Sequence, residues 1–187
     1  MRNAQRENEL IIVLTAGHSN TDPGAVANGA TEAVLMTELR NVAAKKLREI
    51  GHIVHTDGEG STNQSLNDAL SLIKRVHPDV ALELHMNAAA NPAATGVETI
   101  ALPEDKRLAQ SLSAAVGNVL GLRLRGDKGW IDQSQSARGR LGFINAGGLI
   151  LETAFISNPG DLAATRDKLW LVAGAIAQTL SANKAAA

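Results

Sequence analysis

Residues 10–16 read LIIVLTA, a continuously apolar and β-branched run that is typical of a strand buried on both faces. A loop rich in Gly, Asn, Asp and Pro separates this run from residues 31–51, which read TEAVLMTELRNVAAKKLREIG. Apolar residues recur there at helical spacing, and Gly51 is a natural C-terminal cap. A buried strand followed by an amphipathic helix is the repeating unit of parallel α/β sheets.

The same alternation continues along the rest of the chain. Strands are predicted at residues 52–56, 80–85, 96–101 and 148–153, and helices at 65–76, 105–120 and 161–183. Residues 121–139 are rich in Gly, Arg and Ser and are predicted to be a loop. The sequence therefore predicts a single α/β domain over residues 1–187, with a mostly parallel sheet flanked by helices on both faces. We expect a polar leader at about residues 1–8 and a tail at 184–187.

Composition excludes several classes of function. The net charge of −1 argues against bulk binding to nucleic acid or to an anionic membrane. The chain has no cysteine, so a metal would have to be bound by His, Asp or Glu. The apolar run at residues 10–14 is too short for a signal peptide or a membrane span. We expect a protein made in the cytoplasm without a signal peptide, with no stable membrane association, and a monomer.

Three polar side chains lie where predicted strands end. His18 follows the first strand, His85 closes the third and Glu152 lies near the end of the last. Ligands of open α/β sheets bind at the carboxyl ends of the strands, and Glu32, which opens the first helix, could return to the same edge. Two histidines and a carboxylate from separate elements form a usual open zinc site.

Each of these residues also has a purely structural interpretation. A histidine at a strand end is more often hydrogen-bonded within the fold than bound to a metal, and Glu32 in a first helical turn is explained by the helix dipole. Glu152 is harder to explain this way, because a carboxylate at the end of a buried strand is costly unless it is paired. The spacing alone leaves the catalytic and the structural interpretations open.

Four stretches of the chain are similar to the motifs of one enzyme family. LTAGHSNTDPGA at residues 14–25 is similar to D-P-G-H-G-G-x-D-P-G-A, and ALELHMNAA at 81–89 to an S-I-H-A-N segment. TGVETI at 95–100 matches G-V-E-x-x, and LILETAFISNPGDL at 149–162 matches L-V-E-x-G-F-I-S-N-P-x-D. With these motifs the chain resembles the zinc-dependent N-acetylmuramoyl-L-alanine amidases, from about residue 10 to its end.

The resemblance implies a fold, a cofactor and a reaction. The family's fold is a twisted six-stranded mixed sheet flanked by helices. By position, His18, Glu32 and His85 correspond to the ligands of Zn²⁺, and Glu152 to a catalytic glutamate. The implied substrate is peptidoglycan, cut at the amide between N-acetylmuramic acid and the L-alanine of the stem peptide.

The chain departs from the family pattern at several positions. Thr15 and Ala16 replace Asp-Pro, Glu83 stands where Ser is usual, and the arginine after the second strand is missing. By strand alternation Glu83 points to the side of His85, as a hydrogen-bond partner near the metal or as a partner for a basic residue. Additional candidates for contact with the metal ligands or the substrate are Asn87 and, in a basic loop that could equally be a solvated surface, Arg138 and Arg140.

The biological role is expected from the same resemblance. A single domain without signal, regulatory helix or wall-binding repeats is most similar to a bacteriophage endolysin, a lysis enzyme that reaches periplasmic peptidoglycan after holin-type release. Two alternatives remain open. One is a zinc peptidase that cuts within the stem peptide, and the other is a non-catalytic wall-binding module of the same fold.

Overall fold

A computed structural model describes residues 9–136 and 139–184 of the chain. Its main sheet has six strands, which are β1 Ile11–Ala16, β4 Ile53–Thr56, β5 Val80–Asn87, β6 Glu98–Ala101, β7 Trp130–Asp132 and β8 Gly148–Phe155. A small antiparallel hairpin, β2 Val26–Ala27 and β3 Ala30–Thr31, lies in the loop after β1. The helices are α1 Glu32–Ile50, α2 Leu66–Val76, α3 Lys106–Leu120, α4 Gly142–Asn145 and α5 Pro159–Lys184. The leader at residues 1–8 and residues 185–187 lie outside the described parts.

The helix ends follow local sequence signals. Gly51 ends α1 in the left-handed conformation, with φ of 110°, and its N–H donates to the carbonyl of Arg48. Ser65 begins α2 with a capping box, in which its side chain and that of Asp68 each bond the other's backbone. These caps explain why the boundaries of both helices were predictable to within a residue or two.

The sheet has the order β4-β1-β5-β8-β6-β7. All neighbouring strands are parallel except β6 and β8, which are antiparallel. The prediction of a mostly parallel, mixed six-stranded sheet in an α/β domain is confirmed. The loop predicted at residues 121–139 is wrong in part, because Trp130–Asp132 adds a parallel strand at the edge beside β6. Three residues are too few for strand alternation to show in the sequence.

The two faces of the sheet are covered unequally. Alternate residues of β1 and β5 point into a large apolar core beneath α1, α3 and α5. The other face carries a smaller cluster beneath α2 and the single turn of α4, and Val13, Ala81, Ile150 and Ile100 contribute to it from four neighbouring strands. Toward the carboxyl ends of the strands, this second face changes from apolar to polar side chains.

Candidate active site

The end of β1 places His18 at the edge of the sheet. The ladder between β1 and β5 continues one residue past β1, because the N–H of Gly17 donates to the carbonyl of Leu84 at 2.8 Å. His18 then adopts a left-handed backbone with φ of 70°, which is uncommon for a residue other than glycine. Its Nδ1 lies 3.0 Å from Asp22 Oδ2, and its Nε2 lies 3.0 Å from Glu32 Oε2.

Glu32, the first residue of α1, joins the two histidines. It is only 3% exposed. Its Oε2 contacts His18 and accepts from the N–H of Ala25 at 3.0 Å. Its Oε1 lies 2.9 Å from His85 Nδ1 and accepts from the N–H of Met86 at 3.0 Å. Two backbone donors therefore fix the orientation of this carboxylate independently of the two rings.

Two glycines make room for the histidine rings. A Cβ atom at Gly17 would overlap the ring of His85, and one at Gly24 would overlap the ring of His18. Gly24 also has φ of 65°, so a side chain there is disfavoured on both counts. The backbone at both positions thus packs directly against the rings, and the rings lie 5.1 Å apart edge to face.

The three side chains have the donor set of a catalytic zinc site. One ligand atom from each of His18, Glu32 and His85 lies within 4.8 Å of the other two. Two imidazole nitrogens and a carboxylate oxygen match the His₂Glu sets of zinc hydrolases, which leave one position open. The residues present therefore fit a Zn²⁺ ion.

The electrostatics of the cluster follow from these contacts. Burial acts to raise the pKa of Glu32, but hydrogen bonds with His18 and His85 outweigh it and hold that pKa below its usual range. Burial acts to lower the pKa of His85, while Glu32 and Glu83 raise it well above the usual value. Contact with Glu32 raises the pKa of His18 against the effect of burial. Because bound histidines are neutral, a metal ion has to displace protons from these rings.

Glu83 contacts the remaining nitrogen of His85. Its Oε2 lies 3.2 Å from His85 Nε2, and the residue is 5% exposed. Within residues 9–136 and 139–184, Glu83 forms no ion pair with a lysine or arginine. The His85 ring is therefore bracketed by two carboxylates, Glu32 on Nδ1 and Glu83 on Nε2.

Glu152 lies beside His85 on the adjacent strand. The two residues are Cα partners in the parallel pairing of β5 and β8, so their side chains share a face of the sheet. Glu152 as a whole is half-buried, but its Oε2 is fully buried and accepts no hydrogen bond within the described chain. Burial raises the pKa of this carboxyl to about 7, against the effect of His85. A carboxyl with a free buried oxygen and this pKa is suited to exchange a proton near neutral pH.

The row of polar residues continues onto β6. Glu98 is the antiparallel Cα partner of Glu152, and its Oε1 accepts from Asn87 Nδ2 at 2.7 Å. Asn87, a candidate from the sequence, therefore contacts the cluster through Glu98. Glu98 was not among the candidates predicted from the sequence, although strand alternation places it on the same face as Ile100.

A buried ion pair that supports the residues before His18 was also not predicted from the sequence. Arg40 on α1 is fully buried and lies 2.8 Å from Asp57, whose carboxylate accepts from the N–H of Ala16. Arg40 also donates to the side chain of Asn63, whose Nδ2 donates to the carbonyl of Gly17 at 3.0 Å. The network therefore bonds to the two residues that precede His18.

The remaining candidates from the sequence are the two arginines of the basic loop. Arg140 is exposed, and Arg138 falls outside the described residues.

A groove of about 440 Å³ opens beside the His18 loop, and Ser19 and Thr31, the sequence neighbours of His18 and Glu32, are among its lining residues. A groove of this size falls within the range of ligand sites, but none of its lining residues belongs to the cluster itself.

Comparison with known proteins gives a consistent result. The family model described as N-acetylmuramoyl-L-alanine amidase matches residues 12–182. The chain is 25% identical over 164 residues to the N-acetylmuramoyl-L-alanine amidase LytC of Bacillus subtilis (strain 168), covering 85% of this chain and 32% of LytC. The chain thus spans about a third of the length of the curated relatives it matches.

Solved structures agree with the family match. A provisionally assigned N-acetylmuramoyl-L-alanine amidase from Neisseria meningitidis is 44% identical, with a TM-score of 0.85, over 93% of this chain and 95% of that one. The catalytic domain of the CD27L endolysin targeting Clostridia difficile shares the fold, with a TM-score of 0.72 at 22% identity over 92% of this chain and 97% of that one. The chain belongs to the N-acetylmuramoyl-L-alanine amidase family.

Proposed function

We propose that this member of the amidase family is a peptidoglycan hydrolase, which uses a Zn²⁺ ion to cleave the amide between N-acetylmuramic acid and the L-alanine of the stem peptide. The observation that carries the proposal is the convergence of His18, Glu32 and His85 beside the free carboxyl oxygen of Glu152. A zinc ligand set next to an unpaired carboxyl is an arrangement that can hydrolyse an unactivated amide.

His18, Glu32 and His85 would hold the ion in this proposal. Zn²⁺ bound there would supply Lewis-acid polarisation of the amide carbonyl and would acidify the attacking water. His18 presents Nε2 toward Glu32, while its Nδ1 is oriented by Asp22. His85 presents Nδ1 toward Glu32, while Glu83 accepts from its Nε2. Carboxylates on the second ring nitrogens set the tautomers that leave the other nitrogens free to bind metal.

Glu152 is proposed to move the proton. Its Oε2 has no hydrogen-bond partner in the described chain, so it can accept a proton from the attacking water without breaking an existing contact. The same carboxyl then returns the proton to the alanine nitrogen as the amide bond breaks. Burial raises the pKa of this carboxyl, which favours its acceptance of a proton.

The biological setting of the protein, including its oligomeric state and its route to peptidoglycan, is a separate proposal. No helix in the described residues is long and apolar enough to cross a membrane. We propose that the chain acts as one catalytic domain and as a monomer. The endolysin role, synthesis without a signal peptide and holin-type release remain predictions from the resemblance, since both a bacterial LytC and an endolysin are among its relatives.

The products of digestion test the proposed reaction. Purified protein is incubated with defined disaccharide peptides, and the products are identified by mass spectrometry. We expect a stem peptide with a free L-alanine amine and an intact disaccharide. Shortened peptides that remain attached to the sugar would instead identify a peptidase cutting within the stem. Binding to peptidoglycan without any cleavage would identify a wall-binding module.

A further inference from the structure

An arginine lies beside this row of carboxylates with part of its guanidinium unused. Arg125 Nε donates to Glu98 Oε2 at 2.6 Å. Its two terminal NH₂ groups make no hydrogen bond to any part of the chain that the structure describes. The Arg125 side chain is 32% exposed, whereas that of Glu98 is 9% exposed. One side of this guanidinium is therefore fixed inside the protein, and its terminal fork is open to a ligand.

Arg125 is held in place from several directions. The backbone of its segment pairs with the start of β6, because Val97 N–H donates to the carbonyl of Arg123 and Arg125 N–H donates to that of Val97, both at 3.0 Å. A Cβ atom at Gly96 would lie 3.0 Å from Arg125 Cγ, so the missing side chain there permits the approach. The guanidinium carbon lies 4.9 Å from the ring centroid of Phe155. The group is thus oriented before any ligand arrives.

These contacts place the guanidinium over the strand that carries Glu152. Phe155 lies on β8, three residues beyond Glu152, and Glu98 is the Cα partner of Glu152 on β6. Since strands are about 4.8 Å apart and rise about 3.3 Å per residue, the guanidinium lies on the order of 10 Å from the Glu152 backbone. An extended peptide spans about 7 Å in two residues. A stem peptide that is cleaved beside Glu152 can therefore bring its second residue close to the guanidinium of Arg125.

We infer that Arg125 binds a free carboxylate of the stem peptide, on the second residue, which follows the L-alanine released by cleavage. This inference rests on the proposed function. The open fork of an arginine matches a carboxylate, and such pairs form two charge-assisted hydrogen bonds. Both oxygens of Glu98 are already occupied, by Asn87 and by Arg125 Nε, so Glu98 does not compete for the fork. In a site that also contains Glu83, Glu98 and Glu152, this cation offsets the repulsion of an anionic substrate.

A matched pair of substrates tests the inference. Two disaccharide tripeptides are compared that differ only in carrying a carboxylate or a carboxamide on the second stem residue. We expect wild-type protein to cleave the carboxylate form with kcat/KM about 10- to 100-fold higher, the range for hydrogen bonds to a charged group. In Arg125→Gln the ratio of kcat/KM for the carboxylate form to that for the carboxamide form falls close to one, because the carboxylate form is cleaved more slowly. Arg125→Lys, which keeps a cation beside Glu98 but not the fork, has an intermediate ratio.

The controls separate this inference from the proposed function and from folding. Arg123→Gln removes the same charge two residues away, from an exposed side chain, and should keep the wild-type ratio. A wild-type ratio near one, or an unchanged ratio in Arg125→Lys and Arg125→Gln, would overturn the role of Arg125 while leaving the amidase activity intact. Should Arg125→Gln fail to fold, the ratios of wild-type protein and Arg125→Lys decide. Cleavage of neither substrate by wild-type protein would overturn the proposed function itself.

Discussion

The β1 side of the site and the β8–β6 side differ in how completely their polar groups are paired. On the β1 side, both oxygens of Glu32 have two contacts each, and both ring nitrogens of His18 and His85 lie against carboxylates. On the other side, Glu152 Oε2 and the terminal nitrogens of Arg125 have no partner in the described residues. We propose that the fully paired side holds the metal ion and that the partly paired side receives the substrate and transfers the proton.

This difference is consistent with the covering of the sheet. The apolar cluster beneath α2 and α4 ends before the carboxyl ends of the strands, where the row of polar residues begins. Unpaired buried polar atoms are costly, and they are retained in folded proteins mainly where a ligand or a reaction uses them. Thr15 Oγ1 is a second buried oxygen without a partner in the described chain, and nothing in the structure explains it.

The largest expected effect comes from removing the carboxylate of Glu32, which contacts both histidines on the fully paired side. In Glu32→Ala, two histidines lose their common partner, and Met86 and Ala25 lose an acceptor. Loss of a residue that only hydrogen-bonds a metal ligand weakens metal binding by up to about 100-fold. Because Glu32 would bind the ion itself, we expect Zn²⁺ binding to weaken by more than about 100-fold and cleavage to cease. Metal content after dialysis and turnover of disaccharide peptides measure both. Glu49→Ala, an exposed acid at the far end of α1, is the control. Normal zinc content in Glu32→Ala would show that Glu32 does not hold the ion.

A second prediction concerns the support behind His18. Arg40→Met leaves the buried Asp57 carboxylate without its cation. Burial raises the pKa of Asp57 to about 6 even when Arg40 is present. We expect the free energy of unfolding to fall by about 3–5 kcal/mol, as when one partner of a buried ion pair is removed. Denaturant unfolding measures it. Arg48→Met, which breaks the exposed pair with Glu59, should cost only about 0–1 kcal/mol. Equal losses in the two variants would contradict the structural role given to Arg40.

The smallest predicted effect concerns the orientation of His85. Glu83→Leu removes the carboxylate at Nε2, and we expect zinc affinity to fall about 10- to 100-fold. Glu83→Gln keeps an acceptor oxygen at the same place and should lose less. Chelator competition gives the affinities, and Glu104→Gln, an exposed acid, is the matched control. Wild-type affinity in both Glu83 variants would assign Glu83 to the substrate side or to the fold alone.

The elements that carry His18, His85 and Glu152 were predictable because their signals are local. Continuous apolar runs marked the buried strands, and polar residues stood at their carboxyl ends. The sequence allowed Glu32 to return to the same edge, but its bonds to the two histidine rings and to Met86 N–H appear only in the structure.

The supporting residues were not predictable, because their partners lie far away in the sequence. Arg40 interrupts an apolar helix face, and periodicity assigns such a residue to solvent until its partner Asp57, 17 residues later, is placed beside it. The expectation that substrate contacts come from Arg138 and Arg140 rested on charge alone. That prediction stays untested, and the structure adds Arg125, which charge alone could not distinguish from its neighbours.

Glu152→Gln tests most directly the claim that the two sides of the site have separate tasks. The variant keeps the size of the side chain and leaves His18, Glu32 and His85 untouched, so we predict one zinc per chain, as in wild-type protein. Without a carboxylate to accept the water proton, turnover of disaccharide peptides should fall by about 10²–10⁴-fold, the usual contribution of a general base. Zinc content and turnover are measured on the same preparation. Turnover near the wild-type rate would contradict the account, and so would a loss of zinc that parallels the loss of activity.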